Sequence, residues 1–402
     1  MEHVVAGPPG SKDHVHTWEQ LSPQEKPLAP PPESEQNSAA AKEYNRRKIV
    51  FGLAGTGLFF ALTLAFVVTG LSQQLDAVVH QYVRNDYLAL LLFAATAGIG
   101  EAIFSAPLSF YSGYLLEHRY HLSNQSFFGW VWENLKGMLI SIPVAVPILL
   151  LFYYCLKAFG GLWWLPVGTL LFLFTVVLAR LGPVLIFPLF YKFVPLEDGK
   201  LKNEILGLCA LVGVTVDGIF TFNLSKNTKK ANAAFTGIGK SKRIILGDTL
   251  VQNFTDEEVL AVFAHELGHY TMKHVWVMMV AGTVSSFLGL FITAQLYAAS
   301  LSWLGFTAPS QIGALPLLSL WLGLYSLVTS PVGNAISRRH EFAADRYAVK
   351  TTGLKESFVN ALRKLARINL AETTPPRIVE LLFHSHPSID RRIRALGAGE
   401  TS

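Results

Sequence analysis

The sequence predicts a mainly α-helical polytopic membrane protein with about six spans and a smaller α+β unit outside the bilayer. Three observations predict it. Hydrophobic residues make up 51% of the 402-residue chain and charged residues only 15%, against about 25% charged in an average soluble domain. The mean hydropathy is +0.37, and the apolar residues fall in long runs, as a lipid solvent demands. Lysine and arginine are distributed unevenly between the segments that connect those runs. A net charge of +5 needs no nucleic-acid partner, because basic residues in such a chain record topology. The two cysteines, Cys155 and Cys209, lie in an apolar run and a polar segment, which argues against a disulfide framework.

Residues 1–48 are polar and hold Pro8, Pro9, Pro23, Pro27 and Pro30–Pro32. They bury too little surface to offset the entropy of ordering, so a disordered cytosolic tail without a signal peptide is expected. His3, His14 and His16 are read there as solvated side chains. Spans are expected at 49–71, 87–115, 137–156, 162–190, 275–298 and 314–336, each near the length a bilayer requires. Domain limits follow: spans one to four over 49–192, spans five and six over 275–337, and polar units at 193–274 and 338–402. Pro107, Pro183 and Pro188 predict kinks or breaks. Glu101 and Arg180 sit inside apolar runs. Each is expected to face an aqueous cavity or a protein partner and not lipid.

The basic side chains Lys42, Arg46, Arg47 and Lys48 precede the first span, and Lys226, Lys229, Lys230, Lys240, Lys242 and Arg243 follow the fourth. The loop at 72–86 has only Arg84, the loop at 157–161 only Lys157, and 299–313 has no charge. Six threaded spans put every basic segment on one side, with both termini in the cytosol. The 193–274 unit should open with a helix near 197–212, continue with short strands near 218–224, 232–236 and 243–246, and end in a helix from about Asp256. The 338–402 unit reads as helical, broken at Pro375 and Pro376.

The chemistry resides in AVFAHELGHYTMKH, which contains His265, Glu266 and His269. Histidines four apart on a helix share one face and can hold one Zn²⁺ through their ring nitrogens. The glutamate between them is placed to act as a general base. A catalytic zinc needs a third protein ligand and an open position. Glu341, in NAISRRHEFAADRYAV, is the candidate, and Asp345, one turn on, is expected to orient a ligand histidine. His340 points to another face. The expected chemistry is peptide-bond hydrolysis, and the polar unit is expected to be a zincin-like fold with a small sheet.

These strings resemble the zinc peptidases that include the type I CAAX prenyl proteases and, more distantly, the HtpX-type membrane proteases. Further stretches favour the CAAX branch: PLSFYSGYLLEHRYHLSNQS at 107–126, PLFYKFVPLEDGKLK at 188–202, KKANAAFTGIGKSKRIILGDTL at 229–250 and SHPSIDRRI at 385–393. The resemblance covers most of residues 90–396. It implies that Asn232 contacts substrate backbone from an edge strand, and that His386 and Arg392 assist the oxyanion or the substrate near zinc. It implies removal of a C-terminal tripeptide from prenylated proteins, with an extended peptide, prenylated or not, as partner. The chain departs from the pattern in three ways. Six spans replace the seven of eukaryotic members, Tyr191 stands where an acid or amide is common, and no C-terminal retrieval string occurs. A bacterial inner-membrane location suits these departures, and a eukaryotic source would imply the endoplasmic reticulum. Competing readings are an HtpX-like quality-control protease and a non-proteolytic transporter or scaffold. Neither of the last two accounts for the HELGH string.

Overall fold

The computed structural model describes residues 35–236 and 243–397. The tail histidines His3, His14 and His16, and the bounding glycines Gly237 and Gly239, lie outside the described residues. The membrane half comprises α1 (Glu35–Val68), α2 (Leu71–Tyr82), α3 (Asp86–Phe110), α4 (Leu116–Arg119), α5 (Phe127–Ala158), α6 (Trp164–Leu181) and α7 (Phe187–Phe190). The polar unit follows with β1 (Phe193–Pro195), α8 (Lys200–Leu211), β2 (Gly218–Phe222), β3 (Ala233–Thr236), β4 (Arg243–Gly247), α9 (Asp248–Asn253) and α10 (Asp256–Thr271). The remainder is α11 (His274–Ser300), α12 (Leu315–Thr352), α13 (Lys355–Ile368), α14 (Arg377–Phe383) and α15 (Ile389–Gly397).

Six helical stretches are long and apolar enough to cross a membrane: Ser38–Val68, Asp86–Arg119, Phe127–Ala158, Gly160–Phe190, His274–Ser300 and Ile312–Thr352. Many of their large apolar side chains are exposed, among them Val50, Leu53, Ile99, Ile103, Leu139 and Val284, as suits helices whose solvent is lipid. The prolines act as expected. A π-helical turn, Tyr111–Leu115, begins four residues after Pro107, and a second, Gly182–Ile186, contains Pro183. Each widens the helix by one residue beside the proline. Glu101 and Arg180 are both exposed, and neither has an ion-pair partner among the described residues.

Three boundaries differ from the sequence reading. The first helix starts at Glu35, well inside the segment expected to be a disordered tail. Ala39, Ala40 and Ala41 are strong helix formers, Glu43 pairs with Arg46 and Arg47 at 2.7 and 2.6 Å, and Tyr44 is buried against Leu116 and Leu122. The loop expected at 72–86 contains α2, whose Ser72 and Val79 are buried. The helix that holds the last span does not stop near 337: α12 runs unbroken to Thr352. The helix that crosses the membrane therefore carries Glu341 and Asp345 rigidly beyond it.

The polar unit is built on a four-stranded sheet of order β1-β2-β4-β3. β2 and β4 are parallel, whereas β1 and β3 pair antiparallel to their neighbours, so β3 forms an edge. Ile205, Ile244, Leu246, Leu250, Val259, Phe263 and Leu267 form its core, joined by Ala361 of α13. A separate core joins the membrane half to α11 and α12, with Leu90, Tyr153, Trp163, Leu290, Tyr297 and Leu317 at its centre. Cys155 and Cys209 are buried free thiols.

Candidate metal centre and active site

α10 begins with a capping box: Glu258 N donates to the Thr255 hydroxyl, and the Glu258 carboxylate accepts from Thr255 N. Those bonds satisfy two of the four amides that a helix start leaves open. Lys364 of α13 holds the same carboxylate at 2.6 Å. The start fixes the phase of the helix, which turns the 265/269 face toward α12. The glycine of HELGH then sets the approach. A Cβ at Gly268 would lie 3.0 Å from Tyr347 Cδ1 and 3.3 Å from Ala344 Cα, so only hydrogen lets α12 come this near. Glu341, Ala344, Asp345 and Ala348 share one buried stripe of α12, as positions three and four apart must.

The close crossing brings His265, His269 and Glu341 together, with one ligand atom from each within 4.8 Å of the others. His265 Nε2 is 3.1 Å from His269 Nε2, and the Glu341 carboxylate lies 3.5 and 3.3 Å from the same two nitrogens. The residues fit a metal. Glu341 Oε2 is fully buried and makes no well-aligned hydrogen bond, although His386 Nδ1 stands 3.0 Å away. Two ring nitrogens and a carboxylate that converge on one point are a donor set that a cation satisfies. The charge balance agrees: burial opposes the His265 cation, but Asp345 and Glu341 outweigh it and push the imidazole up to about 9. The pocket thus favours positive charge where the two ring nitrogens meet.

Each histidine is oriented from behind, and by a different group. Asp345 Oδ1 lies 2.8 Å from His265 Nδ1 and is itself gripped by Arg392, whose Nε and Nη2 donate to its two oxygens at 2.8 and 2.5 Å. His269 Nδ1 is 3.0 Å from His274 Nδ1. Between two imidazoles one must donate and the other accept, so a donating His269 leaves its Nε2 lone pair free for the cluster. His274 reaches this place because Lys273 adopts a left-handed conformation, φ 57°, that turns the chain between α10 and α11. The sequence reading overlooked His274. The available signal was a further histidine five residues past His269, beyond one helical face and reachable only through a turn.

Among the remaining predicted residues, Glu266 is half-buried next to the cluster, and burial holds its carboxyl above the ordinary carboxylate range. His386 is exposed, its side chain at 65%. Arg392 is buried; its guanidinium is committed to Asp345 and stands 3.5 Å from Glu341. Asn232 is exposed and lies one residue ahead of β3, its carbonyl accepting from Gly247 N at 2.8 Å. No hydrogen bond among the described residues joins its carboxamide to the cluster. His340 stacks on His274, with centroids 4.0 Å apart, and is not part of the cluster.

A helix-borne His-Glu-x-x-His pair met by a carboxylate from a membrane helix defines a membrane metallopeptidase. Comparison with known proteins gives the family. Residues 195–400 match peptidase family M48, and residues 26–192 match the CAAX prenyl protease N-terminal region, described as five membrane helices. The chain therefore belongs to peptidase family M48, in the group whose N-terminal half is that of the CAAX prenyl proteases. Four of the six long apolar helices fall in the N-terminal match, with the 12-residue α2 between the first two. The chain is 31% identical to an uncharacterized metalloprotease of Bacillus subtilis, YhfN, over 89% of this chain and 84% of that one. It is 30% identical to CAAX prenyl protease 1 of Saccharomyces cerevisiae, with the same coverage. The crystal structure of S. mikatae Ste24p superposes with a TM-score of 0.81 at 28% identity, covering 92% of this chain and 91% of that one. The protein is a multi-pass membrane metallopeptidase.

Proposed function

We propose that the protein is a zinc endopeptidase that cuts extended peptides near the C-terminus, with prenylated CAAX-type chains as its substrate class. The observation that carries this reading is the convergence of His265, His269 and Glu341 beside the half-buried carboxyl of Glu266. An all-nitrogen-and-oxygen set of three ligands suits one Zn²⁺ per chain with a position left open. When bound, such an ion polarises the scissile carbonyl and acidifies a water.

The chain's own groups supply the rest. Glu266 takes the proton of the attacking water and delivers it to the leaving amine. His386, exposed and 3.0 Å from Glu341, is free to donate to the oxygen on which charge develops. Arg392 acts one step back: it holds Asp345, which holds His265. The outer edge of β3, unpaired among the described residues, takes the substrate as an added strand, with Asn232 at the head of that edge. α10 supports this placement, because Phe235 of β3 packs on Tyr270, one residue past His269, at 4.8 Å between centroids.

The CAAX assignment draws on the match over 26–192 and on the yeast relative. The basic segments beside α1 and in the polar unit support a site on the cytosolic face. Exposed Glu101 and Arg180 then line an aqueous space between the spans. The test is cleavage of a farnesylated CAAX peptide by purified protein, with and without a chelator. Release of the C-terminal tripeptide that stops on chelation and returns with zinc is expected. Equal cleavage of unrelated unfolded proteins, with the farnesyl peptide untouched, would point to a quality-control protease instead.

A further inference from the structure

Backbone direction alternates along an antiparallel edge, and one bond fixes the phase. Gly247 N donates to the Asn232 carbonyl, so the main-chain groups of Asn232 and Ala234 face β4. Those of Ala231, Ala233 and Phe235 therefore face away from the sheet. The outward groups of Ala233 and Phe235 meet no partner among the described residues. Ala231 does. Asn369 Oδ1 accepts from Ala231 N at 2.9 Å, and Asn369 Nδ2 donates to the Ala231 carbonyl at 3.3 Å. A carboxamide presents the same donor and acceptor as a peptide unit, so Asn369 fills the place that the next residue of an added strand would need.

Both partners in this contact are held. Asn369 caps α13, and Leu370 after it is left-handed at φ 51°, a conformation disfavoured for a residue with a side chain. Asn45 of α1 stabilises it by donating to the Leu370 carbonyl at 2.7 Å. On the strand side, Lys230 Nζ donates to Glu117 at 2.8 Å and to the Tyr44 hydroxyl at 2.9 Å. Thr249 Oγ1 donates to the Lys230 carbonyl at 2.8 Å. The first membrane helix thus anchors both the start of the edge strand and the side chain that closes it.

We infer that Asn369 is a stop that ends the substrate ladder. An extended peptide pairs with Ala233 and Phe235 and does not continue past Ala231. This rests on the proposal that substrate binds along β3. Antiparallel addition is the more stable pairing, and a peptide antiparallel to β3 runs from Phe235 toward Ala231. Its C-terminal side therefore meets the stop, which favours substrates with a short segment beyond the cut. A longer C-terminal segment must either displace two formed hydrogen bonds or leave the edge. Asn369 touches the strand and not the reacting bond, so it is a positioning residue that sets length specificity.

The experiment measures kcat/KM for peptides of constant core, lengthened residue by residue at the C-terminal or the N-terminal end. In the natural protein, C-terminal growth beyond the stop brings no gain. In Asn369→Ala the freed N–H and C=O of Ala231 accept the longer chain, and the long-to-short ratio rises about ten-fold, which is about 1.4 kcal/mol. Two modest backbone hydrogen bonds have that effect. Asn45→Ala, which loosens Leu370 and leaves Asn369 in sequence, should raise the same ratio about three-fold and decides the matter if the first variant does not fold. N-terminal growth should have equal effect in all three proteins. An unchanged C-terminal ratio in the variants would overturn the stop. N-methylation of the substrate amides along the core separates the two ideas. Cleavage blocked by N-methylation with an unchanged ratio removes the stop alone, and cleavage indifferent to N-methylation removes edge binding and the stop with it.

Discussion

Asp345→Asn isolates the orientation of one metal ligand with almost no change in volume. The carboxylate accepts two hydrogen bonds from Arg392, at 2.8 and 2.5 Å, and meets His265 Nδ1 at 2.8 Å. All three groups are buried, Asp345 at 1% exposure. An amide has one acceptor and one donor. With its oxygen toward His265 it faces Arg392 with N–H against N–H, and the reverse rotamer places N–H against the histidine. Either way a buried guanidinium or imidazole loses its acceptor, and a buried cation loses its counter-charge. Breaking such a pair costs about 3–5 kcal/mol of stability. Loosening a group behind a ligand lowers metal affinity by about 10–100-fold. The assay is zinc partitioning against a graded series of chelators on detergent-purified protein, together with its thermal unfolding. Metal affinity within two-fold of the natural protein, in a variant that is clearly less stable, would refute the claim that Asp345 acts through His265 on the metal.

Other outcomes follow from the same geometry. Glu266→Gln should keep metal and fold but lose about 10²–10⁴-fold in turnover; retained turnover would move the base elsewhere. Gly268→Ala should push α12 from α10, because its Cβ would stand 3.0 Å from Tyr347. That overpacking should cost about 1–3 kcal/mol and weaken zinc binding with it, seen as parallel losses in melting temperature and metal content. Lys273→Gly relieves a left-handed residue at φ 57°, so it should be neutral or stabilising by about 1 kcal/mol, whereas Lys273→Val should lower both melting temperature and activity by displacing His274.

Much of this site can be read in the sequence because its parts follow helical period. His265 and His269, and likewise Glu341 and Asp345, are four apart, and each pair does share one helix face. The six spans were legible for the same kind of reason: the bilayer imposes one length and one chemistry on each. What was hidden depends on tertiary contact. Nothing local distinguishes Asn369 at the end of α13, since its partner Ala231 is 138 residues away. The resemblance implied that Arg392 assists the oxyanion or the substrate, and only the packing of α15 against α12 shows its guanidinium gripping Asp345. The start of α1 was missed because proline content outweighed the Ala39–Ala41 run, and Tyr44 takes its burial from residues over 70 positions away. His274 was masked by a turn made by a lysine, a residue that gives no warning of a left-handed conformation.

Anomalous diffraction at the zinc absorption edge, from crystals of the protein grown with zinc, would locate the metal itself. One peak is expected, bounded by the Nε2 atoms of His265 and His269 and by the Glu341 carboxylate, at about 2.0–2.2 Å from each. A peak held instead by His274 and His340, or no peak between α10 and α12, would contradict the metallopeptidase site described for this chain.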